Sequence, residues 1–227
     1  IGHASSATFR TSDLVGLDVT AHVTTNLYPA VPDDEDREVF QIPEVITTLL
    51  DKKLLGDKTG GGFFKKSKDE NGNRVILELD LATFEYKPQV KTKFPSLDAA
   101  KGFEDRAKRV KALVWGDDRV GEFLWKTTSR VSRYAANRIP EIADTIVEID
   151  NAIKWGFGWE IGVFEAWDAI GVAESVERMR KEGQAVPANV EAMLASGATS
   201  FYKNEGGHHS FYDLVAGEYK PMPERPG

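Results

Sequence analysis

Apolar residues along this chain change their spacing twice, and in the same direction each time. From Gly121 to about Asn137 the apolar positions Phe123, Trp125, Val131 and Tyr134, with Ile139 and Ile142 beyond, do not keep a period of two, and helical spacing dominates, which predicts a helix over about 121–136. Ile142, Ile146, Ile149 and Ile153 then recur at i+4, i+3 and i+4, one stripe of a second helix that Gly156 is expected to stop. Pro140 places a break between the two near Asn137 to Pro140. Over 63–79 and again over 201–214 the pattern turns strand-like. Asn71-Gly72 separates Phe63–Lys66 from Val75–Leu79, and Gly206-Gly207 separates Phe201–Lys203 from Ser210–Leu214, so two small β-hairpins on a helical body are expected.

The same motifs occur twice, in one order. Phe-x3-Asp-x2-Gly-apolar stands at Phe9, Asp13, Gly16, Leu17 and at Phe164, Asp168, Gly171, Val172, an offset of 155. A proline element follows at Ile42-Pro43 with Ile46 and Leu50, and at Val186-Pro187 with Val190 and Leu194, offset 144; Phe63-Phe64-Lys65 and Phe201-Tyr202-Lys203 follow at offset 138. Asp80 to Pro88 and Asp213 to Pro221, both Asp-Leu-x3-Glu-Tyr-Lys-Pro, close the series at 133. An offset that only falls is what a tandem duplication leaves when the loops of its first copy are longer. The largest excess lies where the first copy carries the acidic stretch 32–38, a solvated loop. The second copy is preceded by about 40 residues of helix-like sequence and the first by eight, so the first reads as a copy without its opening helices, and the chain as cut from a longer protein. The expected domains are therefore 1–90 for the first repeat, 91–119 for a linker and 120–227 for the second, complete repeat.

Composition narrows the chemistry. The 227 residues include no cysteine, which removes disulfides, thiolate nucleophiles and Cys-ligated zinc and favours the cytoplasm. A net charge of −7 opposes nucleic-acid binding, and no apolar run approaches the ~20 residues of a membrane span. Residues 101–138 nonetheless hold ten Lys/Arg against five acids, a solvated helix face or an attraction for an anionic ligand. The four histidines have no metal spacing; His22, four residues after Asp18, offers at most a helix-surface pair. There is neither a Gly-x-Ser-x-Gly elbow nor a Gly-x-Gly-x-x-Gly after a strand, and Gly60-Gly61-Gly62 reads as a permissive turn. Asp13 and Asp168 have two readings, as acceptors for backbone N–H groups and as general acids or bases. Pro43 and Pro187 suit the first helical position. The five tryptophans, Trp115, Trp125, Trp155, Trp159 and Trp167, fall within 53 residues, as core, self-association surface or ligand pocket.

Ile149-Asp150-Asn151-Ala152-Ile153-Lys154-Trp155-Gly156-Phe157-Gly158, then Gly162-Val163-Phe164-Glu165 and Trp167-Asp168-Ala169-Ile170-Gly171, resemble the C-terminal domain of L-3-hydroxyacyl-CoA dehydrogenases, as do Thr11 to Asp18 and Leu55 to Phe64. The tandem pair is similar to that of the multifunctional fatty-acid β-oxidation proteins. The resemblance implies a mainly α fold: two copies of a helical unit, each ending in a small β-hairpin and paired within the chain as a pseudo-dimer. It also implies NAD bound by an upstream Rossmann domain, an acyl-CoA substrate, and a fused enoyl-CoA hydratase domain as in the multifunctional proteins. The family's His/Glu dyad lies in the Rossmann domain, so no catalytic, cofactor-binding or metal-ligating residue is expected here, and this part of an oxidoreductase is expected to be inactive alone. Where the family has Gly-Pro-Phe, the first copy has Ala7-Thr8-Phe9, which puts Ser5, Ser6 and Thr8 nearest the substrate cleft as candidate substrate-binding residues. The second reading is a non-catalytic helical interaction module of the same ancestry, using its tryptophan-rich surface.

Overall fold

In a computed structural model, which describes residues 1–4 and 6–223, the chain divides into two units. One comprises Ser5–Thr92; the other comprises Ile1–Ala4 with Lys93–Gly227.

The smaller unit begins with α1 (Ala7–Val15) and α2 (Leu17–Ala30), separated by Gly16, whose φ of 108° lets the chain turn sharply between them. Helix α3 (Glu44–Asp51) follows the acidic loop, and β1 (Phe64–Lys68), β2 (Arg74–Leu79) and β3 (Tyr86–Pro88) form an antiparallel meander in the order β1-β2-β3. Leu17, Leu49, Phe63 and Leu79 make its small buried core. Asn71-Gly72 turns the first hairpin as expected, pairing Lys68 with Arg74.

The larger unit holds α4 (Pro95–Lys101), α5 (Arg106–Val114), α6 (Arg119–Asn137), α7 (Ile146–Phe157), α8 (Val163–Ile170), α9 (Val172–Lys181) and α10 (Ala188–Ala195). A second meander follows, β4 (Tyr202–Glu205), β5 (His208–Asp213) and β6 (Glu218–Pro221), ordered β4-β5-β6. Its core is continuous and aromatic: Phe164 and Phe201 meet edge-on at 4.9 Å, and Trp167 lies 5.1 Å from Phe201.

Several expectations change in detail. Residues 91–119 are not a linker: they form α4 and α5, whose Ala100, Val110, Leu113 and Val114 are buried in the larger unit, because an apolar stripe on α5 needs a partner. Helix α7 runs past Gly156 to a left-handed cap at Gly158, and Ile142 stands outside it, 72% exposed. Pro43 and Pro187 sit one position earlier than expected, as the extended residues just before α3 and α10. Each hairpin gains a third strand from the Glu-Tyr-Lys-Pro segment. Phe164 is buried as the motif predicts, but Phe9 is half exposed.

Candidate functional site

The most constrained polar groups in both units are aspartates on the helix that precedes a positive-φ glycine. On α1, Asp13 is 1% exposed; its Oδ1 accepts the N–H of Phe63 and its Oδ2 the N–H of Phe64, both at 2.8 Å. On α8, Asp168 accepts the N–H of Phe201 at 2.7 Å and of Tyr202 at 2.8 Å. A β-meander starts at each place, and the carboxylate satisfies two donors that no strand partner reaches. Gly62 is required beside the first node, because a Cβ there would fall on the Asp13 carboxylate.

Matched bonds continue through both meanders. Tyr86 donates its hydroxyl to the Gly62 carbonyl at 2.7 Å, and Tyr219 donates to the Ser200 carbonyl at 2.6 Å. Asp80 accepts from the Ala82 and Thr83 N–H groups and from Lys87 Nζ; Asp213 accepts from the Val215 and Ala216 N–H groups and from Lys220 Nζ. The repeated Asp-Leu-x3-Glu-Tyr-Lys-Pro motif is thus a turn-closing carboxylate with its lysine and an anchoring tyrosine.

The larger unit adds a second buried carboxylate. Asp150 on α7 accepts the N–H of Phe164 at 2.9 Å and of Glu165 at 3.1 Å, at the start of α8, and the Tyr202 hydroxyl at 2.9 Å. Glu165 closes the same helix start by accepting the Gly162 N–H at 2.7 Å, and it pairs with Lys154 at 2.5 Å. Burial pushes Asp150 up to about 6 and Asp168 up to about 7, against the pull of their N–H donors. Burial, followed by the Asp150 charge, raises the Tyr202 phenol. Every carboxylate oxygen in this cluster is used in joining α7, α8 and β4, and each bond runs to backbone or to a neighbouring side chain. The arrangement is a structural clamp, in which Asp13 and Asp168 act as acceptors for backbone N–H groups.

The proposed substrate-side residues lie at the start of α1. Ser6 precedes the helix, its Oγ 2.8 Å from Thr11 Oγ1, and Thr8 is exposed, its carbonyl accepting the Ser12 hydroxyl at 2.9 Å. Ser5 lies outside the described residues. His22 and Asp18 do not meet: His22 Nε2 lies 3.0 Å from Asn26 Nδ2, and Asp18 pairs with Lys58 at 2.5 Å, because Lys58 reaches across from the 57–59 turn. No group of three or more His, Cys, Asp or Glu suited to a metal occurs among the described residues. The doubly wound dinucleotide-binding fold has a parallel sheet with a glycine-rich first turn, and both sheets among the described residues are antiparallel three-stranded meanders, so the described residues do not form that fold. Sequence reasoning found Asp150 and Asp168 through the motif that carries them, but missed Tyr202 as the link between Asp150 and β4, which only the packing of two distant segments creates.

Fold and clamp together define a mainly helical protein, each unit finished by a three-stranded antiparallel sheet tied to a helix-borne aspartate. Residues 2–66 match the family model of the 3-hydroxyacyl-CoA dehydrogenase C-terminal domain. Over 224 residues, 99% of its length, the chain is 45% identical to a probable 3-hydroxyacyl-CoA dehydrogenase of Bacillus subtilis, of which it spans 27%. It is 27% identical over 168 residues to a putative fatty acid oxidation complex trifunctional enzyme of Rickettsia felis, covering 73% of this chain and 21% of that one. A crystal structure of 3-hydroxybutyryl-CoA dehydrogenase from Escherichia coli K12 aligns with a TM-score of 0.48 at 16% identity, over 83% of this chain and 51% of that chain. The family-model match and the named relatives support the 3-hydroxyacyl-CoA dehydrogenase family. No helix among the described residues is long and apolar enough to cross a membrane.

Proposed function

We propose that this chain is a C-terminal portion of an NAD-dependent L-3-hydroxyacyl-CoA dehydrogenase of fatty-acid β-oxidation, working in the cytoplasm. The carrying observation is the 45% identity that runs through 99% of the chain to a relative almost four times as long. In this reading the nucleotide-binding domain, with the groups that remove the 3-hydroxyl proton, lies in the rest of the longer protein. An enoyl-CoA hydratase domain is a candidate neighbour, from the likeness to a putative trifunctional enzyme. This portion contributes to the acyl-CoA cleft, with Ser5, Ser6 and Thr8 as its substrate-side residues. It does not oxidise substrate alone.

The two units are, in the same proposal, tandem copies of one ancestral element. The support is bond for bond: Asp13 with Phe63 and Phe64 against Asp168 with Phe201 and Tyr202, and Tyr86 with Gly62 against Tyr219 with Ser200. The test is a swap. The matching 27% of the Bacillus relative is replaced by this chain, and oxidation of 3-hydroxybutyryl-CoA by NAD is followed. Turnover within tenfold of the parent is expected; a folded, soluble chimera without turnover overturns the reading.

A further inference from the structure

An open cleft of ≈ 470 Å³ lies on the larger unit, lined by Ala173 and Arg180 of α9, Glu191 and Leu194 of α10, and Ala198 and Thr199 of the loop that follows. The smaller unit shows what fills the matching place. Lys53 and Gly197, 144 apart like the proline elements, both stand at positive φ just after α3 and α10. Beyond them the smaller unit runs through Gly56–Gly61 before Gly62 and Phe63, whereas the larger unit passes directly from Thr199 to Ser200 and Phe201. The extra residues form a turn closed by pairing of Gly56 with Gly61. That turn lies on the start of α2: the Leu55 carbonyl just before it accepts the Leu17 N–H at 3.1 Å, and its Lys58 reaches Asp18 at 2.5 Å. The residues matching Leu17 and Asp18 are Val172 and Ala173. Ala173 lines the cleft, and beside it Val172, 2% exposed, has an N–H with no acceptor among the described residues. A buried N–H in that position calls for an acceptor from another segment.

From this we infer that the cleft is a docking site for a turn of a second polypeptide, built like Gly56–Gly61: glycine-flanked, with an acid beside a base. A carbonyl of that turn accepts the Val172 N–H, and its glycines let the backbone come close to Ala173 and Ala198. Charge selects the occupant. Arg180 and Glu191 stand where the smaller unit has Thr25 and Thr47, and they are exposed and paired only with each other at 2.5 Å. An exposed pair of this kind is worth little and exchanges partners readily, so an incoming acid meets Arg180 and an incoming base Glu191. Adjacent Asp57 and Lys58 carry the same two charges in the smaller unit, where they pair with Arg10 and Asp18. The inference rests on the matching of the two units proposed above; it needs neither NAD nor turnover, so it is measured apart from the dehydrogenase reading.

The full chain is titrated with the acetylated, amidated peptide of residues 55–62, and the amide resonances of Val172, Ala173, Ala198 and Thr199 report binding. Saturable shifts at these four are expected, with slower hydrogen exchange at Val172. A peptide carrying Asp57→Asn and Lys58→Gln should bind about two- to fivefold more weakly, the range that exposed ion pairs allow. Ala173→Lys, which fills the cleft from an exposed position, should abolish saturation. In a separate variant Gly56–Gly61 is grafted between Thr199 and Ser200; it should protect the Val172 amide and block the peptide. The docking site is overturned by the absence of saturable shifts in the natural chain, by equal binding of the neutral peptide, or by binding that Ala173→Lys leaves intact. A folded graft that leaves Val172 exchange unchanged overturns the matching of the units, and the inference with it; a protected graft beside a natural chain that binds no peptide overturns the docking alone. The titrations of the natural chain decide the matter even if a variant fails to fold.

Discussion

Removing one carboxylate should unfasten one sheet from its helix. In Asp168→Ala the N–H groups of Phe201 and Tyr202 lose their acceptors, and Phe201, fully buried against Phe164 and Trp167, has no water to replace them. At pH 5 the comparison is clean. With its folded value near 7, Asp168 is protonated there, so deletion relieves no buried charge and the cost is the two orphaned donors. At roughly 1–3 kcal/mol for each, the loss is about 2–6 kcal/mol. Hydrogen exchange read by NMR at the Phe201 and Tyr202 amides should accelerate at least about thirtyfold, the equivalent of about 2 kcal/mol. Asp13→Ala should do the same to the amides of Phe63 and Phe64, with the loss confined to the smaller unit. Exchange at Phe201 and Tyr202 unchanged within threefold, in a variant that stays folded, would refute the clamp.

Three further outcomes follow from the same bonds. Asp150 and Asp168 have folded values of about 6 and about 7, above the roughly 3.9 of an unfolded aspartate, so the folded state holds more protons between those limits. Their contribution is therefore largest below about pH 4 and is lost as pH rises to about 7. The urea midpoint of the larger unit should fall over that window, with a shallower slope in Asp168→Asn; a midpoint that rises would contradict it. In the smaller unit Asp57, beside Arg10, and Asp80, beside Lys87, are held down to about 2, so their stabilisation is present above about pH 4 and is lost between about 4 and 2, visible by circular dichroism of a Ser5–Thr92 fragment if it folds, or by its amide signals in the full chain. Gly62→Ala drives a methyl into the Asp13 carboxylate and should cost roughly 1–3 kcal/mol in denaturant titration, whereas Gly156→Ala, with open space around its Cβ and ordinary helical backbone, should cost nothing.

How much of this was legible in the residues depends on how local each feature is. The break at Asn137–Pro140, the Asn71-Gly72 and Gly206-Gly207 hairpins and the helix–glycine–helix junctions at Gly16 and Gly171 are set by neighbours in sequence, and they were readable. The third strands were not, because Tyr86–Pro88 and Glu218–Pro221 are too short to carry a period and become strands only by pairing with β2 and β5. Residues 91–119 looked like a linker because six of the nine residues 101–109, from the end of α4 into α5, are charged, masking the inward row Val110, Leu113, Val114. Asp13 and Asp168 were legible as N–H acceptors, but their partners lie 50 and 33 residues away and could be identified only in three dimensions.

The claim on which most depends is that these residues are the substrate-side part of a dehydrogenase whose oxidising machinery lies elsewhere in the protein. Formation of NADH from 3-hydroxybutyryl-CoA, followed at the cofactor's absorbance, tests it with two samples: this chain alone, and this chain joined to the preceding portion of its Bacillus relative. The account predicts no turnover from the first and turnover from the second; NADH from the isolated chain, or none from a folded fusion, would contradict it.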